Sequence, residues 1–287
     1  THDYILFFTS MGRVHRRKGY QIPEGGRVAK GTNIVNILPL EPGEKVTAGL
    51  TVRDFDEDNL MFVTRHGTVK RVSLQSLNTA RKAGIRALTL ADGDELIAVM
   101  KTNGEQNILL ATADGMAICF SESDVRVMGR DAAGVRGIAL SDGDYVVGAG
   151  IAEEGKQLLT VTELGYGKRT EIAEYMRLGE NGQRSPQLRG GKGLKNYNLT
   201  AKTGRVAGVA VVGDDDDVML IESGGVLIRM AVSDINIYKR DTQGVILMRL
   251  EEGGRVISLD PVEKEEEDAD ETSDAPLTEA EAPENEA

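Results

Sequence analysis

The chain of 287 residues contains no tryptophan, a single cysteine and few aromatic residues, and each shortage excludes a class of protein. One cysteine, Cys119, rules out an internal disulfide and suits a reducing compartment. No apolar run is long enough to cross a membrane as a helix, so we expect no membrane partner. Aromatic residues make up 4% of the chain, whereas proteins that bind single-stranded nucleic acid stack the bases on aromatic side chains. The composition therefore argues against a single-strand binder.

No arrangement of catalytic or metal-binding side chains is evident in the sequence. The three histidines, His2, His15 and His66, lack the spacing of metal ligands. The acidic run at 214–217 is expected to be a solvated loop. We predict no catalytic residue, no metal site and no cofactor in this chain.

A glycine-rich basic stretch, SPQLRGGKGLKN at 185–196, invites comparison with a nucleotide-binding P-loop. That motif needs Ser or Thr after its Gly-Lys pair and a glycine five residues before the second glycine. Gly193 and Pro186 occupy those two positions. The stretch therefore fails the motif at both ends, and its cations need another explanation.

The formal net charge of −12 is concentrated at one end of the chain. Residues 261–287 hold twelve acidic residues and one lysine, and the remaining 260 residues hold 33 Lys/Arg and 34 Asp/Glu. We predict that 261–287 is a disordered acidic tail, which either competes with a polyanion for the cations of the body or only aids solubility. The body at 1–260 is nearly neutral, so the placement of its cations decides what it binds.

Five β-hairpin patterns repeat through the body, each an apolar strand, a glycine-containing turn and a second strand. The turn glycines are identified as Gly12, Gly67, Gly115, Gly165 and Gly224. Their spacing is close to fifty residues, and a second glycine-plus-strand element recurs within each unit. This period predicts an all-β, propeller-like fold of about five four-stranded blades. The predicted units are about 1–55, 56–106, 107–155, 156–213 and 214–260.

The same loop position carries at least one cation in every unit. These loops read GRVAKG, NTARKAG, GRDAAG, QLRGGKG and KRDTQG, and we call them slot loops. Equivalent loops of a radial array lie on equivalent edges, so the repeat arranges the cations as a belt. A belt on a curved rim suits a long polyanion, and duplex DNA fits best. No recognition helix is evident, which indicates phosphate rather than base contacts.

The candidate DNA-binding residues lie in the slot loops or just after the hairpin turns. They are Arg16, Arg17, Arg27, Lys30, Lys70, Arg71, Arg81, Lys82, Arg130, Lys168, Arg169, Gln187, Arg189, Lys192, Lys239 and Arg240. The third hairpin departs from the pattern, because Ile118 and Cys119 stand where the others carry cations.

The repeats resemble the C-terminal domain of bacterial DNA gyrase A, one of the two proteins that form this type IIA topoisomerase. The resemblance rests on GYGKRT, on VRGIALSDGD, on DTQGVI and on the segment Gln187–Gly193, which matches six of the seven residues of the gyrase box QRRGGKG. Leu188 replaces an arginine of that box. The family carries its box in the first of six blades, whereas this match lies in the fourth of five units. The sequence is thus expected to begin at the second family blade, with a degenerate box in the fifth.

The resemblance implies a β-pinwheel whose blades exchange strands with their neighbours. It implies that the domain wraps DNA around its rim and so directs the introduction of negative supercoils by the parent enzyme. ATP and magnesium act elsewhere in that enzyme, in which gyrase A forms a heterotetramer with the ATPase subunit. We expect the fragment itself to be monomeric, bacterial, cytoplasmic and associated with the nucleoid.

Two alternatives remain at this point. The equivalent domain of a topoisomerase IV subunit lacks a clear box, and the near-box and acidic tail favour gyrase over it. A protein-binding propeller would need an apolar or mixed-charge rim, and the WD and kelch signatures are missing.

Overall fold

A computed structural model describes residues 2–25, 31–79, 81 and 83–264 of the chain. The described residues form β-strands, joined by loops and by short 3₁₀ turns at Gly19–Gln21, Ile34–Asn36, Leu74–Leu77, Glu122–Asp124, Ile172–Tyr175 and Val232–Asp234. The strands are β1 (Tyr4–Thr9), β2 (Arg13–Lys18), β3 (Val46–Val52), β4 (Asn59–Thr64), β5 (Thr68–Ser73), β6 (Ile85–Arg86), β7 (Leu96–Thr102), β8 (Asn107–Thr112), β9 (Met116–Ser121), β10 (Val135–Arg136), β11 (Val146–Ile151), β12 (Gln157–Thr162), β13 (Tyr166–Glu171), β14 (Arg177–Leu178), β15 (Arg184–Ser185), β16 (Leu194–Lys195), β17 (Val206–Val212), β18 (Asp216–Glu222), β19 (Leu227–Ala231), β20 (Val245–Ile246) and β21 (Val256–Glu263).

Five antiparallel sheets follow one another along the chain, and we number them as blades 1 to 5, while β14 and β15 pair as a separate two-stranded sheet. Their strand orders are β3-β1-β2-β6, β7-β4-β5-β10, β11-β8-β9-β16, β17-β12-β13-β20 and β21-β18-β19. Each of the first four blades takes its last strand from the following unit, so the expected exchange of strands is confirmed. Blade 5 has three strands among the described residues, one fewer than predicted.

The predicted hairpins form the middle of every blade. In blade 1, for example, Phe8 pairs with Val14 across the turn at Gly12, which has a φ of 72°. Positive φ suits glycine because it has no Cβ. In the fifth hairpin the turn residue is Gly225, with a φ of 89°, and not the neighbouring Gly224.

Apolar side chains form the core between consecutive blades, so that blades 2, 3 and 4 are covered on both faces. In β4, Leu60 and Phe62 pack towards blade 1, where the rings of Phe8 and Phe62 lie 5.5 Å apart. Met61 and its alternate neighbour Val63 join the cluster on the blade 3 side. Strand β4 is therefore covered on both faces, unlike a strand in an antiparallel sheet that has one face in solvent.

The first strand of each blade order is the inner one. Strands β3, β7, β11, β17 and β21 pack consecutively against one another. The exchanged strands β6, β10, β16 and β20 lie at the opposite edge of their sheets and so form the outer edge of the array. The last inner strand ends at Glu263, three residues beyond the predicted boundary at 260. The remainder of the predicted tail, 265–287, lies outside the described residues.

Candidate nucleic-acid interface

The slot loops lead directly into the exchanged outer strands. The loop 129–134 precedes β10, 187–193 precedes β16, and 239–244 precedes β20. Gly193 has a φ of 75°, and a Cβ there would stand 2.3 Å from the carbonyl oxygen of Ala117. A glycine is needed at this point because the outer strand must approach the neighbouring hairpin so closely. The repeat thus places these three slot loops at the outer edge, beside the preceding blade.

Several predicted cations are exposed at this edge. Arg81, Arg130, Lys192 and Lys239 all have exposed side chains. Arg240 is half-buried, and its Nη1 donates to the carbonyl oxygen of Lys195 at 3.0 Å. The four exposed side chains are available to a ligand that follows the edge.

The outer strands add three exposed cations that the sequence analysis missed. Arg86, Arg136 and Lys195 each lie two residues after the slot glycine of their unit, and each is exposed. Ile246 occupies the same position in the last outer strand and is 50% exposed. The signal was present in the aligned repeats GIR, GVR, GLK and GVI, because strand alternation turns this residue to the face opposite its more buried apolar neighbour.

Two predicted DNA contacts, Lys70 and Lys168, prove to be fully buried. Nζ of Lys70 donates to the carbonyl oxygens of Ala87 at 2.9 Å and Arg130 at 2.6 Å. Nζ of Lys168 donates to the carbonyl oxygens of Lys239 and Arg240, both at 2.6 Å. These lysines lie beneath the slot loops instead of on the rim, because blades 2 and 4 each pack between two other blades.

Arg169 and Gln187 are also buried, which corrects their assignment to the rim. Arg169 donates to the carbonyl oxygen of Ile235 at 2.6 Å and forms an ion pair with Asp214. Nε2 of Gln187 donates to the carbonyl oxygen of Tyr175 at 3.0 Å. Both side chains hold loops to the blade and have no free face for a ligand.

Four other predicted DNA-binding arginines use part of their hydrogen-bonding capacity within the protein. Nε of Arg189 donates to the carbonyl oxygen of Asp124 at 2.9 Å, and its Nη1 to that of Arg136 at 3.0 Å. Arg71 lies 3.6 Å from the buried carboxylate of Glu122. Arg16 donates to Asn78 at 2.6 Å and Arg17 to the carbonyl oxygen of Ile37 at 3.1 Å. Arg27, Lys30 and Lys82 lie outside the described residues.

Two adjacent slot regions enclose a basic cleft of about 450 Å³. Its lining includes Arg13, Arg81, Arg86 and Arg130, with Asp131 as the acidic member. Arg13 is partly neutralised by Glu41 at 3.3 Å. Three exposed guanidinium groups therefore surround one opening, an arrangement that suits a phosphate.

The described residues contain no group of three or more acidic, histidine or cysteine side chains that could hold a metal ion. The acidic run instead forms internal contacts: Asp216 accepts from the amide of Gly213 at 2.7 Å, and Asp217 pairs with Arg229 at 2.7 Å. No helix in the described part of the chain has the length and apolar character needed to cross a membrane.

The sequence matches the family model for the DNA gyrase C-terminal domain, a β-propeller, over residues 3–53, 58–103, 106–153, 156–183, 185–213 and 216–263. The DNA gyrase A protein of Lawsonia intracellularis is 46% identical over 266 residues, an alignment that covers 91% of this chain and 31% of that protein. Its counterpart in Escherichia coli is 45% identical over 273 residues, which cover 94% of this chain and 30% of that protein. The chain thus spans about a third of the length of these relatives.

Solved structures agree on the fold. The C-terminal domain of a DNA topoisomerase IV superposes with a TM-score of 0.82 at 28% identity, covering 91% of this chain and 80% of that one. A DNA gyrase A C-terminal domain superposes with a TM-score of 0.75 at 24% identity, covering 91% of this chain and 83% of that one. Together with the family model and the full-length relatives, these matches show that the chain belongs to the DNA gyrase C-terminal domain family of β-propellers.

Proposed function

We propose that this chain binds duplex DNA without sequence preference and wraps it along the outer edge of its blades. The observation that carries the proposal is the recurrence of exposed cations at two equivalent positions, the slot loop and the outer strand. Arg130 with Arg136, and Lys192 with Lys195, are successive examples. Such a series offers a phosphate contact at each successive blade to a duplex that runs along the edge.

The energetics of bending are compatible with a distributed belt. Bending 20–30 base pairs by 40–90° costs on the order of 1–6 kcal/mol. Phosphate contacts spread along the bend offset that cost, and their strength falls steeply with salt. The scarcity of aromatic side chains favours a duplex over a single strand.

The family supplies the wider context of the proposal. The relatives are gyrase A proteins from bacteria, and we infer that this domain gives direction to supercoiling by such an enzyme. In that setting it acts in the bacterial cytoplasm, on the nucleoid, as part of a heterotetramer with the ATPase subunit. ATP and magnesium would then bind in other parts of the assembly.

A topoisomerase IV subunit is the second candidate, because the topoisomerase IV domain gives a TM-score of 0.82. The 45–46% identity with gyrase A proteins favours gyrase. The near-box at Gln187–Gly193 favours it as well. A strong fixed-handed wrap by the protein would support gyrase, and binding without wrapping would support the alternative.

The proposal is tested by titrating the affinity for linear duplex DNA against salt. A triple variant, R86A/R136A/K195A, removes the outer-strand cations. Its matched control, K45A/K101A/K202A, removes three exposed lysines on or just before inner strands. The plot of log affinity against log salt has a negative slope, and each phosphate contact contributes about 0.9 to its magnitude. We expect the outer variant to reduce that magnitude by about 3. Equal slopes for both variants, or a preference for single strands, would contradict the belt.

A further inference from the structure

One position recurs in the second strand of every hairpin, three residues after the turn glycine. It is held by His15, Lys70, Ile118, Lys168 and Ile228 in blades 1 to 5. Ile118 is fully buried, as are the two lysines. The fold therefore accepts an apolar side chain here, and a charged one requires a specific reason.

The two lysines donate to the backbone of the residues that carry the exposed cations. Lys70 reaches across to the carbonyl oxygen of Arg130 in the slot loop of the next unit. Lys168 reaches the carbonyl oxygens of Lys239 and Arg240, and its third hydrogen bond goes to Oγ1 of Thr242 at 3.2 Å. An ammonium has three donors, so Lys168 uses its full capacity on one loop.

The ammonium groups of Lys70 and Lys168 contact carbonyl oxygens where a carboxylate could have neutralised them. Their positive charges are therefore poorly compensated. Burial lowers the pKa of the Lys70 ammonium to about 8 and that of Lys168 to about 7. Asp131 faces Lys70, and Asp241 faces Lys168, and each opposes this shift, while Arg130 and Arg240 add to it. The ring of Tyr197 lies 5.1 Å from Nζ of Lys168 and completes its surroundings. Burying a charge costs free energy. The hydrogen bonds to the loop carbonyl oxygens are the interaction that explains why a lysine stands at this position.

The inward carbonyl groups fix the direction of the next amides. In a planar trans peptide, the N–H of the following residue points opposite to the C=O, and the described chain has no cis peptide. The amides of Asp131, Arg240 and Asp241 therefore point away from the lysines. Outward amides add hydrogen-bond donors for an anion beside the adjacent cationic side chains.

We propose that Lys70 and Lys168 are positioning residues that hold the slot loops 129–134 and 239–244 in the conformation that binds phosphate. The proposal rests on the proposed DNA binding and specifies which buried groups organise it. The slot loop of blade 3's outer strand, 187–193, is held differently: Gly190 donates to the carbonyl oxygen of Gly137 at 2.6 Å, and Arg189 supplies the side-chain contacts. This difference provides an internal control.

Hydrogen exchange of K70M, K168M and the control I118M tests the positioning directly. We expect K70M to raise amide exchange about tenfold in 129–134 only, and K168M to do so in 239–244 only. Tenfold corresponds to about 1.4 kcal/mol. I118M should leave all three loops unchanged, because its side chain binds no loop carbonyl. Unchanged exchange in the lysine variants, or a rise spread over the whole blade, would overturn the proposal.

Duplex affinity separates this inference from the proposed function. K70M and K168M should each weaken binding about three- to tenfold, and I118M should not. If the wild-type protein does not bind duplex DNA, the proposed function fails. If it binds and both lysine variants bind equally well, the function stands and the positioning role is wrong.

The wild-type protein gives a second measurement if a methionine variant does not fold. The pKa of each lysine is lowered while its loop is closed over it, so opening of the loop takes up a proton and becomes less favourable as the pH rises. Raising the pH should therefore slow amide exchange in 239–244 above about pH 7 and in 129–134 above about pH 8, measured relative to 187–193 in the same sample. Global stability rises in the same direction, since the unfolded chain keeps these protons to higher pH. Constant exchange ratios between pH 6 and 9 would contradict the proposal.

Discussion

At the scale of single residues, neighbouring cations in one strand have different roles. Lys70 is buried beneath a loop, and the next residue, Arg71, pairs with Glu122. In the box-like segment, Arg189 is bound to two carbonyl oxygens, whereas Lys192 is exposed. A lysine or arginine of this chain therefore contributes to the fold or to a ligand according to what its terminal nitrogens contact.

Arg189 and Lys192 should separate in their effects on stability. The sequence alone predicts that replacing both would leave the melting temperature nearly unchanged. Because Arg189 donates to Asp124 and Arg136, we now expect R189A to lower the free energy of unfolding by about 1–2 kcal/mol, a typical cost for losing hydrogen bonds from a charged group. K192A should weaken duplex binding and leave stability within about 0.5 kcal/mol.

Urea unfolding and duplex titration of the two single variants measure both quantities. The control for DNA affinity is K202A, which removes an exposed lysine next to an inner strand. Equal stability of R189A and K192A would show that the guanidinium contacts contribute nothing, and the expectation from sequence would then hold.

At the scale of elements, the sequence predicts the repeated hairpins and loops but does not predict that both faces of a strand are buried. Glycine turns and the apolar period located the hairpins and slot loops. Alternation normally marks one buried face of a strand, but β5 buries both Val69 and the adjacent Lys70. Both faces are covered because blades stack against one another, and that contact joins distant units. The pattern in one strand therefore could not show that its lysine was inside.

The exchanged strands depend on glycines for a close approach and not for turn conformation alone. Gly244 has a φ of 66°, and a Cβ would stand 2.3 Å from the carbonyl oxygen of Gly167. Gly253 has a φ of 81° but nothing within 4 Å of its Cβ position. Comparing alanine substitutions at Gly244 and Gly253 therefore separates the cost of a steric clash from the cost of positive φ.

We expect G253A to cost about 1–2 kcal/mol, the usual penalty for left-handed backbone. G244A should cost a further 1–3 kcal/mol or so, as overpacking does, and should release β20 from blade 4. Urea unfolding gives the totals, and hydrogen exchange at Val245 and Ile246 reports the release. Equal costs for the two variants would show that backbone strain accounts for both.

At the scale of the whole molecule, a nearly neutral body presents exposed cations at equivalent positions along one edge. Arg86, Arg136 and Lys195 lie on successive outer strands and are exposed. Net charge alone would not indicate a polyanion-binding protein. The strand order does, because it brings these cations from distant parts of the sequence to the same edge of successive sheets.

Wrapping predicts a topological effect that simple binding does not. A duplex that follows several successive outer strands on a superhelical path of one hand gains writhe of one sign, whereas a duplex that only crosses the edge does not. Ligation of a nicked circle with the protein bound should therefore shift the mean linking number in one direction, measured after deproteinisation by gel electrophoresis. The variant R86A/R136A/K195A, compared at a concentration that restores full binding, should reduce the shift, since fewer phosphate contacts remain to offset the bending cost. The control K45A/K101A/K202A should preserve it. An unshifted distribution with the wild-type protein fully bound would mean that the duplex crosses the edge without following it.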